Sequence, residues 1–300
     1  MRLCCGILGL GLMAACNQEP EPFDFDNHAF ESELETIEPV LEGLLWPSDM
    51  TISDDGLTFI ERDALTIHQV VVDAVQNSWE WGETPLQLLT IEDDTWIRTE
   101  SGIYPLEGNG AAVEAEGITD MFELNGVLHW VTSSEPAQVK NQTGIILESD
   151  SPIDSTVVLD NTLFVLDRAS KKLMRVSEEG TTEAFRFGDE PRRLFADGDT
   201  LYATTRSARW PYGGWIVQLE GSEDSWSETR LSDSPPEAER LLVHDGFVYW
   251  SSKQSITRIS TDGGTYEMVA PNTTVGAMHI QEDTLWWTDS KGGRLFALPL

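Results

Sequence analysis

Cysteine is almost missing from this chain: three occur in 300 residues, as Cys4, Cys5 and Cys16. No disulfide framework can hold a fold built from the remainder, so stability has to come from a buried core. Positive charge is scarce too, with 19 Lys and Arg against 52 Asp and Glu and a formal net charge of −33. So acidic a chain argues against nucleic acid and against adhesion to anionic lipid surfaces, both of which need net cationic patches. Catalytic signatures are lacking as well. There is no Gly-x-Ser-x-Gly elbow, no His-Glu-x-x-His and no Cys-x-x-Cys, and Gly108-Asn109-Gly110 has no strand and helix around it to make a dinucleotide loop.

What is present is a repeat. Seven times a turn residue or pair leads into a short, aromatic-tipped strand: Asp55 to Phe59, Asp93 to Trp96, Asn125 to Trp130, Asp160 to Phe164, Gly198 to Tyr202, Asp245 to Trp250 and Glu282 to Trp287. With Phe59, Trp96, His129, Phe164, Tyr202, Tyr249 and Trp286 as register marks, successive copies lie 33 to 47 residues apart. Self-similarity at this period, with four short strands per unit, predicts an all-β seven-bladed β-propeller over residues 36–300.

The clearest repeat divides into strands A to D as Glu239 to His244, Phe247 to Ser252, Ser255 to Ser260 and Thr265 to Ala270. In the repeat at 151–189 the strands fall at 157–159, 162–166, 173–176 and 183–187, and the first repeat has strand C at 65–72 and strand D at 78–81. The last repeat has room for only three strands, ending with 294–298, while residues 36–42 have no repeat of their own. An open blade edge is a pairing hazard, so residues 36–42 are expected to close the ring as its outermost strand, where Pro39 is tolerable.

Arg2 followed by the apolar stretch Leu3 to Ala15, too short to cross a bilayer as a helix, reads as a secretory signal. Its end, Leu12-Met13-Ala14-Ala15-Cys16, resembles a bacterial lipobox. The resemblance implies removal of residues 1–15, lipidation of Cys16 and a membrane anchor, and Asn17 in place of an aspartate favours the outer membrane. An ordinary signal peptide followed by a chance cysteine is the alternative. Residues 16–35 hold seven acids and no Lys or Arg, which predicts a solvated tether. A monomer is expected.

Leu285-Trp286-Trp287-Thr288-Asp289 and Val248-Tyr249-Trp250-Ser251-Ser252, the latter followed by Ile256 to Gly264, are similar to the Tyr-Trp-Thr-Asp repeat of the low-density-lipoprotein-receptor type propeller. The likeness covers about a fifth of the chain. It implies an extracytoplasmic binding scaffold without catalytic residues. Trp96, Trp130, Trp250, Trp286 and Trp287 recur in strand B, where packing between blades is the expected role.

Function is sought on the loops. A cation follows strand B in six of the seven copies, as Arg62, Arg98, Arg168, Arg206, Lys253 and Lys291, and the openings of strand A add Arg192, Arg193 and Arg240. In a propeller the B–C loops and D–A connections share one face, so these cations should gather around the channel mouth. Either each is neutralised by Asp49, Asp120, Asp154, Glu190 or Glu239, or they build a recessed site for a carboxylate or phosphate. Arg206, Arg209, Trp210 and Tyr212 would form its rim, since they lie in the stretch held responsible for the widest, 47-residue spacing.

The expected function is thus binding of a partner protein or anionic ligand by an envelope lipoprotein, with no cofactor and no catalytic residue. The alternative is a metal-dependent hydrolase resembling propeller lactonases, whose channel metal those same five acids would hold. A third reading resembles the propeller lipoproteins of outer-membrane protein assembly. The five histidines fall at unequal register and form no ring, which favours ordinary strand residues over metal ligands.

Overall fold

The computed structural model describes residues 37–300 apart from 72–73, 108–110, 178–179, 207–213, 223–224, 235–237 and 253. The expectations for the signal, Cys16 and the tether, and those for Arg209, Trp210, Tyr212 and Lys253, lie outside the described residues.

Among the described residues, 28 strands form seven four-stranded sheets. All pairings are antiparallel, and six sheets run A-B-C-D in chain order. Blade 4, for example, consists of Ser155–Leu159, Thr162–Asp167, Lys172–Ser177 and Gly180–Arg186. Blades 1 to 7 occupy residues 47–80, 87–114, 118–149, 155–186, 190–234, 240–271 and 275–299. In blade 1 the outer strand is longer than predicted, Ala74–Glu80. The A–B turns explain the repeat's signature. Asn125 and Gly126 have φ of 55° and 71°, and Asp245 and Gly246 have 45° and 76°. Two successive left-handed residues make the tight turn that matches strand twist, and Asn, Asp and Gly reach it most easily.

The buried apolar side chains fall into seven clusters among the described residues, one at each seam between neighbouring blades. Strand B is covered on both faces, so it reads as a continuous apolar run rather than an alternating one. Trp96 and Trp130 share the seam between blades 2 and 3, Trp250 that between 5 and 6, Trp287 that between 6 and 7, and Trp286 packs at the seam of 7 and 1. The expected inter-blade role of these five tryptophans holds.

Ring closure also holds, with a shorter strand. Leu41–Glu42 pairs antiparallel with Arg294–Pro299, Leu41 opposite Leu295 and Glu42 opposite Arg294. The Val40 N–H donates to Leu295 O (2.8 Å) and the Leu44 N–H to Gly293 O (3.0 Å). Pro39, outside the paired residues, is asked for no ladder bond. The connection onward to blade 1 is held by buried Glu61, which accepts from the Leu45 N–H (2.6 Å) and faces His68 Nε2 (2.7 Å).

Each outer edge is blunted. The C–D pairing slips register in blades 1, 3, 4, 5 and 6, and in blades 2 and 7 the outermost strand has two residues. Bulges and very short edge strands both discourage pairing with another chain.

The 47-residue spacing needs a correction. The B–C loop of blade 5 accounts for part of it, but strands C and D of that blade, Gly214–Ser222 and Ser225–Ser234, have nine and ten residues. This long hairpin leans on blade 4, with Trp226 set edge-on to Phe164 at 5.5 Å between ring centroids. Much of the excess length therefore serves packing.

Candidate functional site

The D–A connections and B–C loops define what we term the upper face. Around its centre strand-A side chains tie neighbouring blades together. Asp49 Oδ2 accepts from the Leu88 N–H (2.8 Å). The Gln87 amide donates to Asp120 Oδ1 (2.8 Å) and Met121 O (3.1 Å) and accepts from the Met121 N–H (3.2 Å). Thr156 Oγ1 donates to Asp120 Oδ2 (3.4 Å), and Ser155 Oγ accepts from the Leu194 N–H (3.3 Å). These bonds join blades 1 to 5 in sequence.

Two of the predicted cations are braces in the same lattice. Arg98 donates through Nε to Gln87 Oε1 (2.9 Å) and through Nη1 to Ile118 O (3.0 Å). Arg240 donates to Gly276 O (3.0 Å) and stands 3.7 Å from Asp49. Burial pushes the Asp49 carboxyl above its ordinary range, against the opposing pull of Arg240, the Leu88 N–H and Arg98. Burial likewise lowers Arg98, with Asp120 and Asp49 opposing.

The five acids do not converge as a metal cage. Asp49 and Asp120 are spent on inter-blade bonds, Asp154 and Glu190 face arginines, and Glu239 is exposed. Among the described residues no group of three His, Cys, Asp or Glu side chains is placed to hold a metal ion. Three of the histidines sit in strand hydrogen bonds: His68 with Glu61 and Ser78, His129 with Val127 O, His244 with Asp283. His279 is half-buried, and burial lowers its pKa; His28 lies outside the described residues.

Among the described residues the upper face carries a cleft. It lies between blades 4 and 5, has a volume of about 390 Å³ and is lined by Pro152, Asp154, Arg168, Ala169, Lys171 and Glu190. The B–C loop of blade 4 that presents Arg168 and Lys171 is tied by Asp167, which accepts from the Ser170 N–H (3.0 Å) and hydroxyl (2.7 Å). The Arg168 guanidinium lies 3.4 Å from Asp154 and 3.7 Å from Glu190, and Arg192 approaches the same Glu190 oxygen at 3.3 Å. Lys171 Nζ donates to Gly188 O (3.0 Å).

Of the predicted rim, Arg206 ends strand B of blade 5, paired directly opposite Glu190. Arg193, within strand A of blade 5, and Lys291, just after strand B of blade 7, are exposed and do not line the cleft. Sequence reasoning missed Lys171. The Lys171-Lys172 pair was visible, but only the left-handed turn at Lys171, φ 59°, sets the first lysine in the loop while the second enters strand C.

Fold and site together define the class as an all-β, seven-bladed propeller with a charge-lined cleft on the face opposite its A–B turns. Compared by sequence, the chain matches no family model and no curated protein. By fold it is similar to virginiamycin B lyase from Staphylococcus aureus, with a TM-score of 0.66 at 16% identity over 87% of this chain and 98% of that one. It is also similar to BamB from Moraxella catarrhalis, with a TM-score of 0.58 at 12% identity over 85% and 83%. The computationally designed Ika8 protein gives 0.59 at 9% identity over 87% and 98%. A lyase, BamB and a designed protein share this architecture, so the likeness is one of fold and assigns no chemistry.

Proposed function

We propose that this chain is an envelope-tethered binding module that takes its ligand on the upper face, at the cleft between blades 4 and 5. One observation carries the reading: a guanidinium and an ammonium converge on an open cleft, while Arg98 and Arg240 are committed to bracing the ring. A ligand's anionic group would compete with Asp154 and Glu190 for Arg168, whose contacts to both are long. The lipobox-like Leu12 to Cys16 supports attachment to a membrane, and the acidic segment after it supports a stand-off from the surface. Replacing Arg168 and Lys171 together by Glu should abolish capture of the ligand from solubilised envelope by the full lipidated chain, with the melting temperature nearly unchanged. Undiminished capture would place the site elsewhere.

A second reading, docking of a partner protein, is favoured by Leu45 and Trp46. They are 56% and 45% exposed on the connection into blade 1, and Trp46 holds a left-handed φ of 56°. An aromatic side chain left half in water on a strained backbone is a candidate anchor for a protein surface. Leu45→Ala with Trp46→Ala should then weaken co-purification of that partner and leave small-ligand binding intact.

A further inference from the structure

The chemistry of the cleft narrows the ligand. A guanidinium offers five N–H donors in a fixed fork. Among the described residues the Arg168 guanidinium makes ion pairs with Asp154 (3.4 Å) and Glu190 (3.7 Å) but no hydrogen bond. The bond of Arg168 to Asp154 Oδ2 (3.3 Å) comes from the backbone N–H instead. Lys171 spends one donor of three on Gly188 O, so cationic donor capacity remains open on one side of the cleft.

Acceptor capacity remains open on the other. Glu190 Oε1 is approached by both Arg168 and Arg192, yet its second oxygen has no described partner. Asp154 Oδ1 has only the 3.4 Å approach of Arg168. The remaining lining, Pro152 and Ala169, is small and apolar.

A purely anionic ligand would satisfy Arg168 and Lys171 but set its charge beside two carboxylates. A purely cationic one meets the reverse problem. Only a molecule carrying both signs a few ångströms apart relieves both, and a volume of about 390 Å³ lies at the small end of ligand pockets, which run from about 300 to 1,000 Å³. We propose that the cleft binds a zwitterion, an α-amino acid or short peptide with both termini free, its carboxylate on Arg168 and Lys171 and its ammonium on Glu190 and Asp154. This rests on the reading of the cleft as the ligand site.

Calorimetric titration of the full chain tests it, with amino acids, dipeptides and tripeptides as probes, each compared with its N-acetylated and C-amidated forms. Free-terminus probes should bind at least tenfold more tightly than either blocked form. Arg168→Gln should weaken binding about tenfold, and Glu190→Gln should erase the preference over N-acetylated probes, both at wild-type melting temperature. Lys171→Met supplies a second carboxylate-side variant should Arg168→Gln unfold. The relative affinities of single amino acids and peptides decide which of the two is the ligand. Blocked probes binding as well as free ones would overturn the zwitterion while leaving the cleft as a site. No binding by any probe would overturn it too, and the Arg168, Lys171 charge reversal against envelope-derived ligand would then decide the cleft's role separately.

Discussion

Asp49 and His279 are buried in different ways, and each makes a distinct demand on the fold. The net upward shift of Asp49 means that its ionised form is less favoured in the folded chain than in water, despite two arginines nearby. Its contribution to stability is therefore present below the unfolded value of 3.8 and lost as pH rises through the folded one. The side chain also accepts from the Leu88 N–H, across the seam between blades 1 and 2. Asp49→Asn keeps an acceptor and should cost under about 1 kcal/mol, whereas Asp49→Ala orphans a buried N–H and should cost about 2–3 kcal/mol. Urea denaturation of the two variants at pH 7 checks this. His279 is depressed by burial, so its contribution is present above the unfolded value of 6.5 and lost as pH falls through the lower folded value. Between pH 7 and pH 5 the melting temperature of the wild type should fall more steeply than that of His279→Gln; parallel curves would mean that His279 charges freely in the fold.

At the scale of elements, closure depends on very little pairing. Two residues of the closing strand lie in register, flanked by bonds from Val40 and Leu44, while Ile37, Leu41 and Leu44 pack at the seams beside blade 7. Loss of three partly buried apolar side chains and several ladder bonds amounts to roughly 4–6 kcal/mol. Deletion of residues 36–44 should thus lower the melting temperature by about 10 °C or more. Deletion of 17–30 should leave it nearly unchanged, and equal effects would sink the closure account. The hairpin of blade 5 is the other informative element. Gly221 lies against Trp226, where an added Cβ would stand 2.6 Å from the indole. Gly221→Ala should displace that ring from Phe164 and destabilise the chain, as read by denaturant midpoint.

Across the whole molecule, charge governs behaviour. With −33 formal charges, self-repulsion outweighs the exposed ion pairs, which are individually worth little. Raising sodium chloride from about 0.05 M to 0.5 M shortens the screening length from roughly 14 Å to 4 Å and should raise the melting temperature. A fall would mean that the pairs around Glu190 and Asp49 dominate instead. The same repulsion, with the blunted outer edges, opposes self-association, so sedimentation should report a monomer. Attachment is tested at this scale too: Cys16→Ser should release the chain from membranes, and persistence there would place the anchor elsewhere.

Blade number, strand order and the closing strand were legible in the sequence because each depends on local chemistry. Turn residues, Asn-Gly or Asp-Gly in three units and Asp, Asn, Gly or Glu pairs in the rest, and aromatic strand tips mark every unit, and a three-stranded remainder at one end matches an orphan strand at the other. That a cation follows strand B in most units was legible for the same reason, since loop position follows from strand order. What each cation does was not. Arg98 ends strand B of blade 2 and Arg168 follows strand B of blade 4, yet one is consumed by Gln87 and Ile118 of adjoining strands while the other faces an open cleft. That difference depends on which side chains the neighbouring blade supplies at the seam, and this is decided by contacts between residues tens of positions apart. The long spacing of blade 5 misled in the same way: length is visible in a sequence, but only packing against Phe164 reveals that much of it is structural.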